Sequence, residues 1–292
     1  MASVEVNGAA LEYIERGNGT PIVFVHGAAS DHRTWHGQLS AFGDSFRAIS
    51  YSRRYHWPNE PIADGSSYAL AEQVDDLAHL LRRLDATGAH LVGHSYGGLV
   101  CLKFASSARE MVRSLVLMEP PVMTLFVSIP PRPTEILALA LHSPRTAIRI
   151  VQLGAFGLGP AAAAFERGDA EAAMKRMGTA ILGRQAFESL SEERAAQVRD
   201  NLIKEELLSR DYLPPLDAGE LQRLRVPVLL VEGTQSPRVF ARLHDHLESI
   251  LPNTERVEIP DASHMMHEDN APVFNRAVLK FISTHERARP PG

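Results

Sequence analysis

A chain of 292 residues, 45% hydrophobic and 22% charged, is long enough for one large core, with or without an inserted subdomain. A net charge of -5 with no polybasic block speaks against nucleic acid or an anionic membrane as a partner. The single cysteine, Cys101, excludes an intrachain disulfide and a cysteine metal cluster.

The amino-terminal MASVEVNG has neither a basic start nor an apolar run, so no signal peptide is expected. The next segment, VEVNGAALEYIER (4–16), alternates apolar and polar residues and predicts an edge hairpin turning at Asn7-Gly8. Six further strands are predicted: PIVFVHG (21–27), FRAISYS (46–52), AHLVGHS (89–95), VRSLVLME (112–119), VPVLLVEG (226–233) and ERVEIPD (255–261). Most are apolar on both faces, the pattern of parallel strands covered by helices on either side. Apolar stripes at helical spacing lie between them. One runs Leu70, Val74, Leu77, Leu81 and Leu84, and another Val239, Phe240, Leu243, Leu247 and Ile250. A third, Phe274, Ala277, Val278 and Phe281, follows Glu268, Asp269 and Asn270, which read as the start of the last helix. Strands alternating with helices imply an α/β sheet.

Residues 121–217 break the alternation. They read as helices, one from Ser143-Pro144 to Gly154 and another starting at Ser191 with Val198 and Leu202 on one face. The expected organisation is a core of 1–120 and 218–292, with a helical cap, 121–217, over the carboxyl edge of the sheet, where such sheets place ligands. The apolar stretch LGAFGLGPAAAAF (153–165) is interrupted by glycine and proline and falls short of the roughly 20 residues of a membrane helix. A cytoplasmic protein is expected. Arginine outnumbers lysine 26 to 4, as GC-rich bacterial coding produces. The tail RARPPG (287–292) is expected to fray.

Three segments carry candidate chemistry. GHSYGG (93–98) stands between a strand and a helix, and its G-x-S-x-G spacing fits a strained turn that exposes the hydroxyl of Ser95. HGAASDHRTW (26–35) follows the strand PIVFV, where the peptide N–H of Ala28 could join that of Tyr96 in holding an oxyanion. In IPDASHMMHEDNAPVF (259–274), His264 lies on a loop reaching the same sheet edge, and a neutral imidazole suits the activation of a serine. His244 and His246 point to different helix faces, so no metal site is read there.

In this order, the three segments resemble the α/β-hydrolase fold, in its capped esterase, haloperoxidase and dehalogenase-like group, over nearly all of residues 4–285. The resemblance implies a mostly parallel twisted sheet flanked by helices, with the cap inserted after the sixth strand. Relatives often carry D-x-R-G-x-G where this chain has YSRRYHWPN (51–59); Arg54 fits the arginine, whereas Ser52, Tyr55 and Trp57 depart. Many relatives place the third member of a Ser-acid-His set after the strand that here is VPVLLVEG, but Ser236 stands there. Ser236-Pro237 reads instead as an N-cap and first-turn proline. Dehalogenase-like relatives place their acid near the end of the preceding strand, which assigns the role to Glu119, with Glu232 and Asp261 as alternatives.

A serine at position 95, where dehalogenases and epoxide hydrolases of this fold use aspartate, favours acyl chemistry. The expected function is hydrolysis of a carboxylic ester or lactone by Ser95, His264 and Glu119, with no metal and no organic cofactor. The apolar residues Leu125, Phe126, Ile136 and Leu139 suggest a hydrophobic small-molecule substrate. Carbon–carbon bond hydrolysis, perhydrolysis, a lyase or cyclase, and a non-catalytic receptor remain open alternatives, as does the oligomeric state.

Overall fold

The computed structural model describes residues 1–287. The expectation for the tail RARPPG falls outside them, apart from the backbone of Arg287. The eight strands are β1 (Ala2–Val6), β2 (Ala9–Arg16), β3 (Pro21–Val25), β4 (Arg47–Tyr51), β5 (Ala89–His94), β6 (Val112–Met118), β7 (Val228–Gly233) and β8 (Thr254–Ile259). They form one sheet in the order β1-β2-β4-β3-β5-β6-β7-β8. β1 and β2 pair antiparallel through the turn at Asn7 (φ 47°) and Gly8 (φ 75°), and β2 pairs antiparallel with β4. All other pairings are parallel.

Helices α1 (His36–Phe42), α2 (Leu70–Arg83) and α3 (Tyr96–Ser107) belong to the first half of the chain. Successive side chains of β3 serve opposite faces of the sheet. Val23 and Val25 join Leu77, Leu81 and Leu99 on one side, while Ile22 and Phe24 join Trp35, Phe42 and Phe274 on the other. This explains the apolar runs with no polar alternation: neither face meets water.

Between β6 and β7 the described chain is helical. It contains α4 (Pro133–His142), α5 (Pro144–Leu153), α6 (Gly159–Glu166), α7 (Ala170–Leu182), α8 (Arg184–Glu188), α9 (Glu192–Asp200), α10 (Lys204–Leu208) and α11 (Ala218–Gln222). Ser191 caps α9 by accepting from the Arg194 N–H. Leu202 lies past the end of that helix rather than on its face. Gly154 does not terminate α5. A π-helical turn, Gly154–Leu158, joins α5 to α6 as one 23-residue helix, Pro144–Glu166. Pro160 sits in the first turn of α6, where its missing N–H costs least. By length and composition this helix, among the described residues, is apolar enough to cross a membrane, with 33% of its apolar window buried against the protein.

The chain closes with α12 (Arg238–Ile250), the short α13 (Met266–Asp269) and α14 (Ala271–Arg287). The expected start of the last helix is therefore a separate turn of helix ending at Asn270.

Candidate active site

The register of β5 on β6 pairs His94 with Met118, so the strands end side by side and deliver Ser95 and Glu119 to one edge. Ser95 is held at φ 51°, ψ -120°, a region that costs a non-glycine residue about 1–3 kcal/mol. Its N–H donates to the Met118 carbonyl at 2.7 Å. The turn closes because its neighbours lack side chains: a Cβ on Gly93 would lie 2.6 Å from the Gly97 carbonyl oxygen, and one on Gly97 2.2 Å from that of Val25.

His264 is buried on the loop between β8 and α13. Its Nδ1 donates to Glu119 Oε2 at 2.5 Å, and Glu119 Oε1 accepts the Gly233 N–H at 3.0 Å. The fully buried carboxylate thus has a partner on each oxygen, as a charge in that position requires. Phe240 stacks on the His264 ring with centroids 4.3 Å apart, and His94 Nε2 donates to the His264 carbonyl at 2.9 Å. With Nδ1–H engaged, Nε2 carries the lone pair, and among the described residues it makes no hydrogen bond. Ser95 and His264 line one small cavity, of about 60 Å³, with Ala28 beside them. Burial holds both His94, whose ring is tilted against that of His264 with centroids 4.7 Å apart, and His267, on the far side of His94, well below the ordinary imidazole range.

The loop after β3 is pressed against the serine turn; a Cβ on Gly27 would sit 3.0 Å from Ser95 Cβ. The Tyr96 N–H opens α3 and is one of the donors that a helix start leaves without an intrahelical partner. The Ala28 N–H has no protein acceptor among the described residues. The loop's shape is fixed by Arg53, which is 1% exposed. Arg53 Nε donates to the His26 carbonyl and Nη2 to the Gly27 carbonyl, each at 3.0 Å. The Arg53 N–H donates to His26 Nε2 at 2.8 Å, and Nη1 to Tyr68. The same guanidinium pairs with Glu206 of α10 at 3.1 Å, and Glu206 Oε2 accepts the Ala29 N–H at 3.3 Å. Burial works to raise the Glu206 carboxyl, yet His56 and Arg53 outweigh it and hold the group below its ordinary value.

Neither Arg53 nor Glu206 was singled out by sequence reasoning. The adjacent Arg54, which fits the family pattern, turns away to a two-pronged pair with Asp76 at 2.7 Å on both oxygens. The only available signal was the Arg-Arg pair itself, and it does not say which arginine faces inward. Glu206 comes from 153 residues along the chain.

The alternative acids lie elsewhere. Glu232 is taken by Arg256 at 2.8 Å and neighbours His244 at 3.4 Å, while Asp261 is exposed. Ser236 does not cap α12. Pro237 occupies the N-cap position without a side-chain bond, and Ser236 Oγ is buried with no partner. Proline at the cap, rather than one residue inside, leaves the serine one residue too early to cap the helix amides.

A second cavity of about 70 Å³ adjoins Ser95 and is closed mainly by Leu153, Leu158, Met177, Ile181, Phe240 and Leu243. Leu125, Phe126, Ile136 and Leu139 do not line it; they pack on the main core instead. Both spaces are small against the roughly 300–1,000 Å³ of ordinary ligand pockets, so admitting a substrate requires movement of these side chains or helices. Among the described residues no cluster of three or more His, Cys, Asp or Glu could hold a metal ion.

A family profile for the alpha/beta hydrolase fold matches residues 20–271. Non-heme chloroperoxidase CPO-A1 of Kitasatospora aureofaciens is 36% identical over 121 residues, 40% of this chain and 43% of that protein. The chain spans about half the length of the curated relatives it matches. Among solved structures, a thermophilic esterase from Thermogutta terrifontis superposes with a TM-score of 0.76 at 19% identity, over 98% of this chain and 99% of that one. Est816, described as an N-acyl homoserine lactone degrading enzyme, gives 0.68 at 18% identity, over 96% and 100%.

Proposed function

From the premise that this chain belongs to the alpha/beta hydrolase fold family, we propose that it is a serine hydrolase that cleaves a carboxylic ester or lactone of a hydrophobic small molecule. The observation that carries this reading is the Glu119–His264 pair, whose remaining imidazole nitrogen is left as an acceptor on the cavity that Ser95 lines. In this mechanism a side-chain rotation brings Ser95 Oγ to His264 Nε2, which takes its proton as the oxygen attacks the carbonyl. Glu119 balances the imidazolium that forms. The N–H groups of Ala28 and Tyr96 receive the oxyanion; one such donor contributes about 2.7–4 kcal/mol in comparable sites. His264 then protonates the departing alkoxide, and water, deprotonated by the same nitrogen, releases the acid and regenerates Ser95.

The serine supports acyl transfer over epoxide opening, where relatives use a carboxylate. The esterase and lactonase likenesses agree with this choice at the level of fold. The helices of 121–217 act as a cap whose apolar inner face, Leu153 to Leu213, receives the substrate's hydrophobic part.

The test is an active-site serine probe with peptide mass mapping, alongside a screen of esters and lactones. Labelling at Ser95, and hydrolysis lost in Ser95→Ala, are expected. Native turnover that persists in folded Ser95→Ala would overturn the covalent mechanism and leave His264 in a lyase or cyclase.

A further inference from the structure

Between the inserted helices and the start of α12 lies a groove of about 650 Å³, within the ordinary size of a small-molecule site. It is lined by Arg149, Lys175, Arg176, Arg184 and Arg238, with Glu188 as its one carboxylate. Five cations against one anion give a local excess of four positive charges on a chain whose net charge is -5. Among the described residues, only Arg184 has an ion-pair partner, Glu188 at 3.9 Å, and both are exposed. Arg149 bonds only the neutral Gln152. Arg33, Arg47, Arg54, Arg113 and Arg256 each reach a carboxylate at 2.6–2.8 Å, whereas others such as Arg82, Arg109 and Arg167 do not, so it is the convergence of five cations on one concavity that marks the groove. The groove's charges come from four elements, α5, α7, α8 and α12, so no single amphipathic face explains them.

The groove also shares a wall with the pocket at Ser95. Leu153 lines both. Gly157 and Leu158, Ala180 and Ile181, and Val239 and Phe240 are neighbours in sequence of which the first faces the groove and the second the pocket. The partition is thin because α7 crosses the π-helical turn closely: a Cβ on Gly157 would lie 2.4 Å from that of Ala180. If Leu153 moves aside, as the closed pocket already requires of its lining, a ligand crossing that wall would have its apolar part beside Ser95 and its far end among the guanidinium groups. Arginine offers paired donors that match phosphate oxygens, and four of the five cations are arginines.

We propose that this groove binds the phosphate or diphosphate borne by the non-reacting end of the substrate; the nature of the bond cleaved at the other end rests on the ester-hydrolase reading above. A concave site favours a discrete anion over a flat lipid surface, although Phe156 at its rim is 76% exposed.

The experiment uses the full chain and needs no turnover for its first arm. Calorimetric titration with inorganic pyrophosphate, and with decyl phosphate against decanol, reads binding directly. Pyrophosphate should bind, more weakly as sodium chloride is added. Decyl phosphate should bind more tightly than either pyrophosphate or decanol. Lys175→Glu/Arg176→Glu should weaken decyl phosphate by at least about tenfold, as expected for the loss of charge-assisted bonds. If that variant melts early, Arg149→Gln and Arg238→Gln replace it. In the second arm, the ratio of kcat/KM for a phosphorylated ester to that for its uncharged homologue should exceed one and fall in the variants. No binding of pyrophosphate or decyl phosphate, or equal binding by the variants, would overturn the site. Pyrophosphate binding without any preference for decyl phosphate over pyrophosphate would overturn the substrate assignment in favour of a free anion. Binding confined to phosphatidylglycerol vesicles would overturn it in favour of a lipid surface. Absence of ester hydrolysis with the first arm intact would remove the ester reading and leave the anion site standing.

Discussion

Glu119 and His264 stand 145 residues apart in sequence and meet at 2.5 Å in the buried floor of the site. Glu119 comes from the end of β6, while the end of β7, where many relatives carry an acid, supplies only the Gly233 N–H that holds it. A side chain at Gly233 would collide with the Ala262 and Ser263 carbonyls at 2.4 and 2.3 Å, so that strand end packs tightly beneath the histidine loop. Glu119→Gln keeps an acceptor for the Gly233 N–H and loses the charge facing imidazolium. We expect kcat to fall by about 10³–10⁴-fold, with the melting temperature nearly unchanged. Steady-state kinetics beside calorimetry separates the two effects; a wild-type rate would move the acid elsewhere.

Ser236→Ala has the opposite expectation. Its hydroxyl is buried without a partner, a state that costs about 1–3 kcal/mol in general. Removing it should leave kcat unchanged and stability equal or slightly higher. A drop in melting temperature would mean that the hydroxyl has a partner, such as a bound water.

Arg53 grips two consecutive carbonyls of the loop that carries Ala28. Lysine keeps the charge but cannot span both. Arg53→Lys should therefore lower kcat, by up to about 10²-fold if one oxyanion donor is misplaced, while KM changes little. The comparison with Arg54→Lys is decisive, since Arg54 faces Asp76 and should affect stability alone. Equal kinetic losses in both would show that Arg53 acts only through the fold.

Glu206 links acid stability to the attachment of the insertion. Its carboxyl is held below the ordinary value of 4.5, so its contribution is complete above that pH and is lost as the pH falls through the lower folded value. Burial lowers the His56 imidazole, so at pH 7 Arg53 is the standing charge partner, and His56 adds its hold on Glu206 only as the pH falls. Glu206→Gln strands that arginine, and at pH 7 should cost about 3–5 kcal/mol. The gap between variant and wild type should narrow toward acid. Denaturant titrations at a series of pH values measure it, and a gap independent of pH would contradict the assignment.

The strands were legible because parallel strands covered on both sides must be apolar throughout, and β3, β5, β6 and β7 are. The turn that carries Ser95 was legible for a related reason: the glycines at 93 and 97 are forced by backbone approaches near 2–3 Å. The interior of the insertion was not. All four of Leu153, Leu158, Leu125 and Phe126 pack on one core, yet only Leu153 and Leu158 also line the pocket, and nothing in their residue types distinguishes them. Gly154 reads as a stop because glycine ends helices more often than it continues them. Here the chain passes through it into a π-turn, Gly154–Leu158, and the close approach of α7 falls at Gly157. The Arg53–Glu206 pair was hidden for want of any local pattern, since each charge acquires its meaning only when the insertion folds onto the sheet.

The position of Glu119 has a consequence for recombination. The chain leaves β6 at Met118, and Pro120-Pro121 begins the path into the helices. A chimaera that takes its lid from a homologue, cut at the strand end, would discard the proposed acid along with the lid. If the donor keeps its own acid after β7, outside the transplanted piece, the hybrid inherits a carboxylate from neither parent. Junctions placed after Pro121 avoid this, because they keep Glu119 on the same parental segment as Ser95.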